Sequence, residues 1–217
     1  MALGLQRDIH CAIIGDDVIL LDTNDSRYRA VPRQMSPAFQ RMLRGLSLSA
    51  AERDALSPLV GSAVIETPEA DTRPRSFPPR PNFALQEDQR PASTMAIAKA
   101  CTHRIVALTQ VKARPFRELL EGIQRDKGQI NPANVHTRTE AIAKAFTSSC
   151  TWLARSDQCL PMSIALTRAL LRENIPATMV IGVATGPFSA HCWVQVGDLV
   201  ICDQVDSVNR YTPILAI

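Results

Sequence analysis

The sequence of 217 residues has no long apolar run, no paired Cys-x-x-C motif and no dense block of basic residues. Its apolar stretches fall well short of the roughly 18 residues that suggest a membrane-spanning helix. Polar residues follow the first Met too early for a signal peptide. We therefore expect a cytoplasmic protein without a membrane span. The net charge of +3, with no basic patch, does not indicate binding to nucleic acid.

The cysteines do not form a recognisable metal or disulfide pattern. There are six of them: Cys11, Cys101, Cys150, Cys159, Cys192 and Cys202. Their spacing does not match a zinc ribbon or a thioredoxin motif, and without an export signal a disulfide framework is not expected. One group that resembles a metal site contains His191, Cys192, Cys202 and Asp203. Because neighbouring strand residues point to opposite faces, these four side chains cannot meet at one ion. We expect no metal and no cofactor, and ask instead whether one Cys is a nucleophile.

Proline divides the chain into two units. Six of the 15 prolines fall between Pro68 and Pro91, and residues 74–81 show neither a helical nor a strand period. Proline removes backbone donors and restricts φ, so this composition is typical of an extended linker. The predicted organisation is a first unit at 1–67, a linker at 68–91 and a second unit at 92–217.

The first unit is predicted to begin with three short strands, at 9–14, 18–21 and 27–31. Helices follow from Ser36 and from Ser49, where Glu52 three residues later completes a capping box. Three strands followed by helices in so short a segment predict a small winged-helix-like module.

The second unit is predicted to have its helices before its sheet. Helical periodicity covers 96–108, 115–123 and 139–152, and a further helix begins at Cys159, with Pro161 in its first turn. Strands are predicted at 177–183, 191–196 and 199–203, joined in part by the turn residues Gly197 and Asp198. This order predicts an α+β fold with an antiparallel sheet.

Three residues of the second unit are suited to nucleophilic catalysis. A helix N-terminus stabilises a thiolate, which makes Cys159 a candidate nucleophile. His191 on a following strand is the candidate general base, and Asp203 on the next strand could orient it. The order of helix Cys, strand His and strand Asp is that of papain-like and transglutaminase-like enzymes.

The hairpin that carries His191 and Asp203 imposes a geometric condition. A regular two-residue turn at Gly197 and Asp198 would pair 191 with 204 and direct Asp203 to the opposite face. We therefore expect a three-residue loop or a β-bulge near Gly197 if the two side chains are to meet.

Local sequence in this unit resembles a known family. The matching residues are Cys159-Leu-Pro, Val180-Ile-Gly-Val, Pro187-Phe-Ser-Ala-His-Cys-Trp-Val194, Asp203 and Arg210-Tyr-Thr-Pro213. They resemble the lasso peptide B protein, a transglutaminase-like leader peptidase, and the first unit is similar to the PqqD-like recognition element of that family. The resemblance implies a cysteine peptidase with Cys159, His191 and Asp203 as catalytic residues. It also implies two partners, a lasso precursor peptide and an asparagine-synthetase-like cyclase.

The resemblance also implies a leader-binding surface on the first unit. A leader could add a strand to the sheet edge formed by Arg27, Tyr28, Arg29, Ala30 and Val31. Pockets for its apolar side chains could come from Leu56, Leu59 and Val60. Equally, these three residues could close the core of the module.

Two other functions remain open at this point. A transglutaminase-like acyl transferase would use the same three residues, with an amine in place of water as the acceptor. A non-catalytic module would only present the precursor to the cyclase.

Overall fold

The structure, a computed structural model, describes residues 3–62, 64–66, 77–85, 92–127, 135–151 and 158–217. The elements of the first unit, in chain order, are β1 (Gly4–Leu5), β2 (Ile9–Ile14), β3 (Asp17–Asp22), β4 (Arg27–Val31), α1 (Ser36–Leu43), α2 (Ala50–Ala55), α3 (Ser57–Gly61) and β5 (Ile65–Glu66). They are followed by β6 (Phe83–Ala84), α4 (Thr94–Ala113), α5 (Phe116–Lys127), α6 (Val135–Ser149), α7 (Cys159–Arg172), β7 (Thr178–Ala184), β8 (Ser189–Val196), β9 (Leu199–Ile201), α8 (Val205–Val208) and β10 (Thr212–Ala216).

Helices and antiparallel sheets are combined as predicted, which confirms the α+β class. The strands predicted in the first unit are present as β2, β3 and β4, and they form an antiparallel sheet in the order β2-β3-β4. The capping box is also confirmed, because Ser49 and Glu52 each accept a hydrogen bond from the other's backbone N–H. The short β1–β5 ribbon was not predicted.

The central strand β3 is buried on both faces. Side chains alternate across a strand, so Val18 and Leu20 point one way and Ile19 and Leu21 the other, and all four are at most 5% exposed. Val18 and Leu20 pack with residues of α1, with Leu56 between α2 and α3, and with Leu59 of α3. Ile19 and Leu21 belong to the core of the second unit. The sheet therefore lies between its own helices and the second unit.

Part of the predicted linker pairs with the second sheet. Strand β6 runs parallel to β9, and the N–H of Leu85 donates to the carbonyl of Val200 at 3.0 Å. Asn82 donates in the same way to Asp198, also at 3.0 Å. Residues 77–85 are thus bound to the second unit, while residues 68–76 and 86–91 of the predicted linker lie outside the described part. The proposed boundaries stay a prediction.

The second sheet has the order β10-β7-β8-β9-β6, and helix α7 packs against it. Ile164 and Leu170 of α7 are fully buried in the core of this unit. The hydroxyl of Ser163 donates to the carbonyl of Cys192 in β8 at 2.9 Å. This bond joins the first turns of α7 to the strand that carries His191.

The helices and strands predicted in the second unit are present, but two of them end earlier than predicted. Helix α6 ends at Ser149 rather than at residue 152, and β9 ends at Ile201 rather than at residue 203, so Asp203 follows the strand instead of lying on it. Strands β6 and β10 were not predicted. Among the helices that the structure describes, none combines the length and the apolar character needed to cross a bilayer.

Candidate functional site

Cys159 is the first residue of α7, as predicted, and Gln158 is its N-cap. Pro161 lies in the first turn, where a missing backbone N–H costs nothing. The pKa of the Cys159 thiol is lowered, first by a hydrogen bond with the His191 side chain and further by backbone hydrogen bonds from Cys192 and Leu160, against an opposing effect of burial. These contacts favour the thiolate, which is the nucleophilic form.

His191 and Asp203 are joined by a short hydrogen bond. Nε2 of His191 lies 2.7 Å from Oδ2 of Asp203, and the backbone N–H of Gln204 donates to Oδ1 at 2.8 Å. Both carboxylate oxygens are therefore engaged. Since Nε2 is held by Asp203, Nδ1 is the ring nitrogen left to face the thiol of Cys159.

The charge state of His191 follows from these neighbours. Its pKa is raised to about 9, mainly by the hydrogen bond to Asp203 and then by the hydrogen bond to Cys159, with burial acting in the opposite direction. The lowered pKa of Cys159 and the raised pKa of His191 both favour a thiolate–imidazolium pair over the neutral pair.

The prediction of a three-residue loop or a β-bulge near Gly197 is wrong. Strands β8 and β9 are joined by a regular two-residue turn, with Val196 opposite Leu199 and Val194 opposite Ile201. Strand β9 ends at Ile201, and Cys202 has a φ of 59°. This left-handed residue changes the direction of the chain after the strand, so the strict alternation of faces no longer applies and Asp203 reaches His191.

Aromatic side chains hold the imidazole of His191. The ring of Trp193 is stacked near it at 6.2 Å and the ring of Tyr211 is tilted at 5.3 Å, measured between centroids. Gly182 is paired with His191 across the sheet. A Cβ at Gly182 would lie 2.7 Å from Cβ of Tyr211 and 2.8 Å from the Trp193 ring, so glycine is what allows both rings to lie here.

A buried glutamine fixes Trp193 in turn. The indole N–H donates to Oε1 of Gln195 at 2.9 Å. The amide of Gln195, which is 1% exposed, donates to the carbonyls of Pro79 at 3.0 Å and Gly197 at 2.6 Å. The segment 77–85 is therefore connected through Gln195 and Trp193 to the surroundings of His191.

Cys192 and Cys202 also line the cavities at the site but are less suited to be nucleophiles, and Cys150 lies outside the lining of these cavities. Cys192 is buried, and burial raises the pKa of its thiol. The thiol of Cys202 donates to the carbonyl of Ala143 at 3.3 Å, and that of Cys150 donates to Phe146 at 3.5 Å.

Two cavities meet at Cys159 and His191. The larger, of about 460 Å³, lies on the side of Asp203 and is also lined by Trp193 and Met162. The smaller, of about 300 Å³, is lined by residues of both units, including Tyr28 and Phe116. The thiol is thus open to a substrate from two sides.

The predicted leader-binding strand lies beside this site. Arg27, Tyr28, Arg29, Ala30 and Val31 form β4, an edge of the three-stranded sheet, and within the described part of the chain no strand pairs with its outer side. Tyr28 is half-buried, and burial together with the nearby thiols of Cys192 and Cys159 raises the pKa of its hydroxyl to about 12.

The three residues predicted either as pockets or as core differ in exposure. Leu56 is fully buried in the core of the first unit, and Leu59 packs partly against that core. Val60 is 41% exposed. Leu56 is therefore core and not available to a leader on the surface, whereas Val60 remains accessible.

Sequence reasoning missed several residues that shape the site. Tyr211 lies in the matching segment 210–213, but its position beside His191 was not predicted. Gln195 was not singled out, and it acts on the site through its hydrogen bond with Trp193. Tyr28 was singled out for its strand, and its position next to Cys159 was not foreseen.

Residues 101–216 match the family model of the transglutaminase-like superfamily. This match covers more than half of the chain, and the chain therefore belongs to this superfamily. It is also 46% identical over 59 residues to the microcin J25-processing protein McjB of Escherichia coli, a match that covers 27% of this chain and 28% of that protein. Together these findings confirm the resemblance to the lasso peptide B proteins. No solved structure matches the chain.

Proposed function

We propose that this protein is a cysteine peptidase that removes the leader from a lasso peptide precursor, with Cys159 as nucleophile, His191 as acid and base, and Asp203 as the residue that orients His191. The observation that carries this proposal is that His191 contacts Cys159 on one side and Asp203 on the other, at the N-terminus of α7. The similarity to McjB, whose name states that it processes microcin J25, supports the choice of substrate.

The first half of the reaction forms a thioester. The thiolate of Cys159 attacks the carbonyl carbon of the last leader residue, and the negative charge passes to the carbonyl oxygen. The imidazolium of His191 then gives its Nδ1 proton to the departing amine as the peptide bond breaks. The core peptide leaves with a free α-amine, and the leader stays bound to Cys159 as an acyl group.

The second half releases the leader. His191, now neutral, removes a proton from a water molecule that attacks the thioester carbonyl. The carbon–sulfur bond breaks, the leader departs with a carboxyl group, and the thiolate and imidazolium are restored. The carboxylate of Asp203 stays deprotonated throughout and keeps its hydrogen bond with Nε2 of His191.

A leader peptide could pair with β4 in either direction, but only one direction brings its C-terminal end close to Cys159. A peptide that pairs antiparallel with β4 ends near Arg27 and Tyr28, the end of the strand that lies next to Cys159. A parallel peptide would end near Val31 instead. We therefore propose antiparallel strand addition, which would direct the C-terminal end of the leader to the thiol.

The free α-amine of the core is the nucleophile that a macrolactam-forming enzyme requires. An asparagine-synthetase-like cyclase is therefore the proposed partner that consumes the product. Neither half of the peptidase reaction described here needs a metal or a cofactor.

Mass spectrometry of precursor peptide incubated with the protein, with and without the cyclase and ATP, tests the proposal. We expect a leader acid and a core amine from cleavage at one bond with the wild type and with Cys101→Ala, and no cleavage with Cys159→Ala. In water enriched with oxygen-18, the new carboxyl group of the leader should carry one labelled oxygen, because water attacks the thioester. A leader joined to an added amine would indicate acyl transfer. Maturation that persists with Cys159→Ala would indicate a presenting module.

A further inference from the structure

The smaller cavity at Cys159 is built by both units. From the first unit, Leu21 of β3 and Tyr28 of β4 line it, on the sheet face that packs against the second unit. From the second unit, Phe116 and Leu119 of α5 and Ile181 of β7 complete its walls. Without the first unit this cavity would lack one side.

The cavity is suited to an apolar side chain. Most of the residues that line it are aliphatic or aromatic, among them Leu21, Leu119, Ile181 and Phe116, so the cavity offers mainly apolar contacts. Arg114 also contributes to the lining but is solvent-exposed. A volume of about 300 Å³ has room for a side chain as large as leucine, which gains free energy by leaving water.

A second cavity continues along β4 on the far side of Tyr28. It is lined by Tyr28, Ala30 and Val31 together with Thr185 and Phe188 of the turn between β7 and β8. Tyr28 lines both cavities, and its ring lies 5.3 Å from the ring of Phe188, which lines the second one. A peptide on the edge of β4 would therefore pass this aromatic pair before it reaches Cys159.

We propose that the smaller cavity is the subsite for an apolar side chain from one of the two leader residues that precede the scissile bond, and that Tyr28 is its specificity-determining wall. This inference rests on the proposed peptidase function. It assigns to the first unit a second role besides holding the leader, namely completing the substrate pocket of the second unit.

Irreversible alkylation of Cys159 tests the subsite independently of precursor cleavage. The probes are acetyl-dipeptidyl chloromethyl ketones with Ala, Leu or Asp at either position, and the rate of modification is followed by intact-protein mass spectrometry. We expect a Leu probe to react roughly ten-fold or more faster than the matching Asp probe with the wild type, the range expected for filling an apolar pocket. An Asp preference, or no preference, would overturn the proposal.

Variants at Tyr28 identify the wall. Tyr28→Ala opens the cavity, so the Leu probe should react only a few-fold faster than the Asp probe. Tyr28→Trp narrows the cavity, so the Ala probe should react faster than the Leu probe. Ile13→Ala, on the opposite edge of the same sheet, should keep the wild-type preference. An unchanged preference in both Tyr28 variants, with folding verified by circular dichroism, would contradict the role of Tyr28.

The two proposals can fail separately. If no precursor is cleaved but the Leu preference depends on Tyr28, the cavity is an apolar pocket beside Cys159 with Tyr28 as its wall, and the peptidase reaction with a leader residue as the occupant is wrong. If the precursor is cleaved but the probes show no such dependence, the peptidase stands and the subsite is wrong.

Discussion

Asp203 holds His191 by a hydrogen bond of 2.7 Å although the register of their hairpin would direct the two side chains to opposite faces. The regular turn pairs Val196 with Leu199, and extension of that register would place residue 204, not 203, opposite His191. The left-handed Cys202, with a φ of 59°, makes the contact possible because it breaks the alternation immediately before Asp203. The site therefore depends on one unusual backbone conformation.

Substitution of Cys202 tests this dependence. A β-branched residue is strained at positive φ, so Cys202→Val should cost about 1–3 kcal/mol of stability and displace Asp203. Cys202→Gly removes the strain and should retain more of the peptidase activity than Cys202→Val. The measurements are the free energy of unfolding in denaturant and kcat/KM on the precursor. Equal activity in the two variants would show that the backbone at Cys202 does not position Asp203.

The pH dependence of cleavage should follow the thiolate–imidazolium pair. The pair exists above the lowered pKa of Cys159 and below the pKa of His191, which is raised to about 9. We expect kcat/KM to give a bell-shaped profile whose alkaline limb lies near pH 9. An alkaline limb near the ordinary pKa of histidine, about 6.5, would contradict the assigned role of Asp203.

Asp203→Asn should move the alkaline limb of the pH profile of kcat/KM. The amide cannot stabilise the imidazolium as a carboxylate does, so the pKa of His191 falls and the alkaline limb moves to lower pH. We also expect kcat/KM at pH 7 to fall by roughly 100-fold or more, as for other residues that orient a catalytic histidine. A loss of activity with an unchanged pH profile would indicate a merely structural role for Asp203.

Gly182 should not tolerate a side chain. The new Cβ of Gly182→Ala would meet Tyr211 at 2.7 Å and Trp193 at 2.8 Å, and the rings beside His191 would have to move. We expect a loss of about 1–3 kcal/mol in the free energy of unfolding, typical of overpacking, together with reduced kcat/KM. Gly61→Ala is the matched control, because nothing lies within 4 Å of a Cβ there. Similar effects of both substitutions would contradict this account of the packing.

Local signals in the sequence predicted most of the elements. The capping box of Ser49 and Glu52, and Pro161 after Cys159, are short-range patterns whose structural meaning needs no knowledge of distant residues. The turn at Gly197 and Asp198 is equally local. The order of Cys159, His191 and Asp203 on one helix and a following hairpin was predicted on the same basis.

Long-range relationships could not be predicted in this way. Cys202 is neither Gly nor Asn, so the residue type at this position does not indicate a left-handed backbone conformation. The two residues of β6 are too few to show a strand period. The apolar run Val18–Leu21 is typical of a strand buried on both faces, but it does not say that its second partner is the unit that carries Cys159.

The most direct test of the central claim is to trap the acyl-enzyme. Precursor and protein are mixed, quenched in acid at successive times and examined by intact-protein mass spectrometry, with peptide mapping of the adduct. The account predicts a transient adduct of the leader acyl group on Cys159 in the wild type and in Cys101→Ala, and none in Cys159→Ala. Cleavage of the precursor by Cys159→Ala at the wild-type rate, without an adduct at any time, would contradict it.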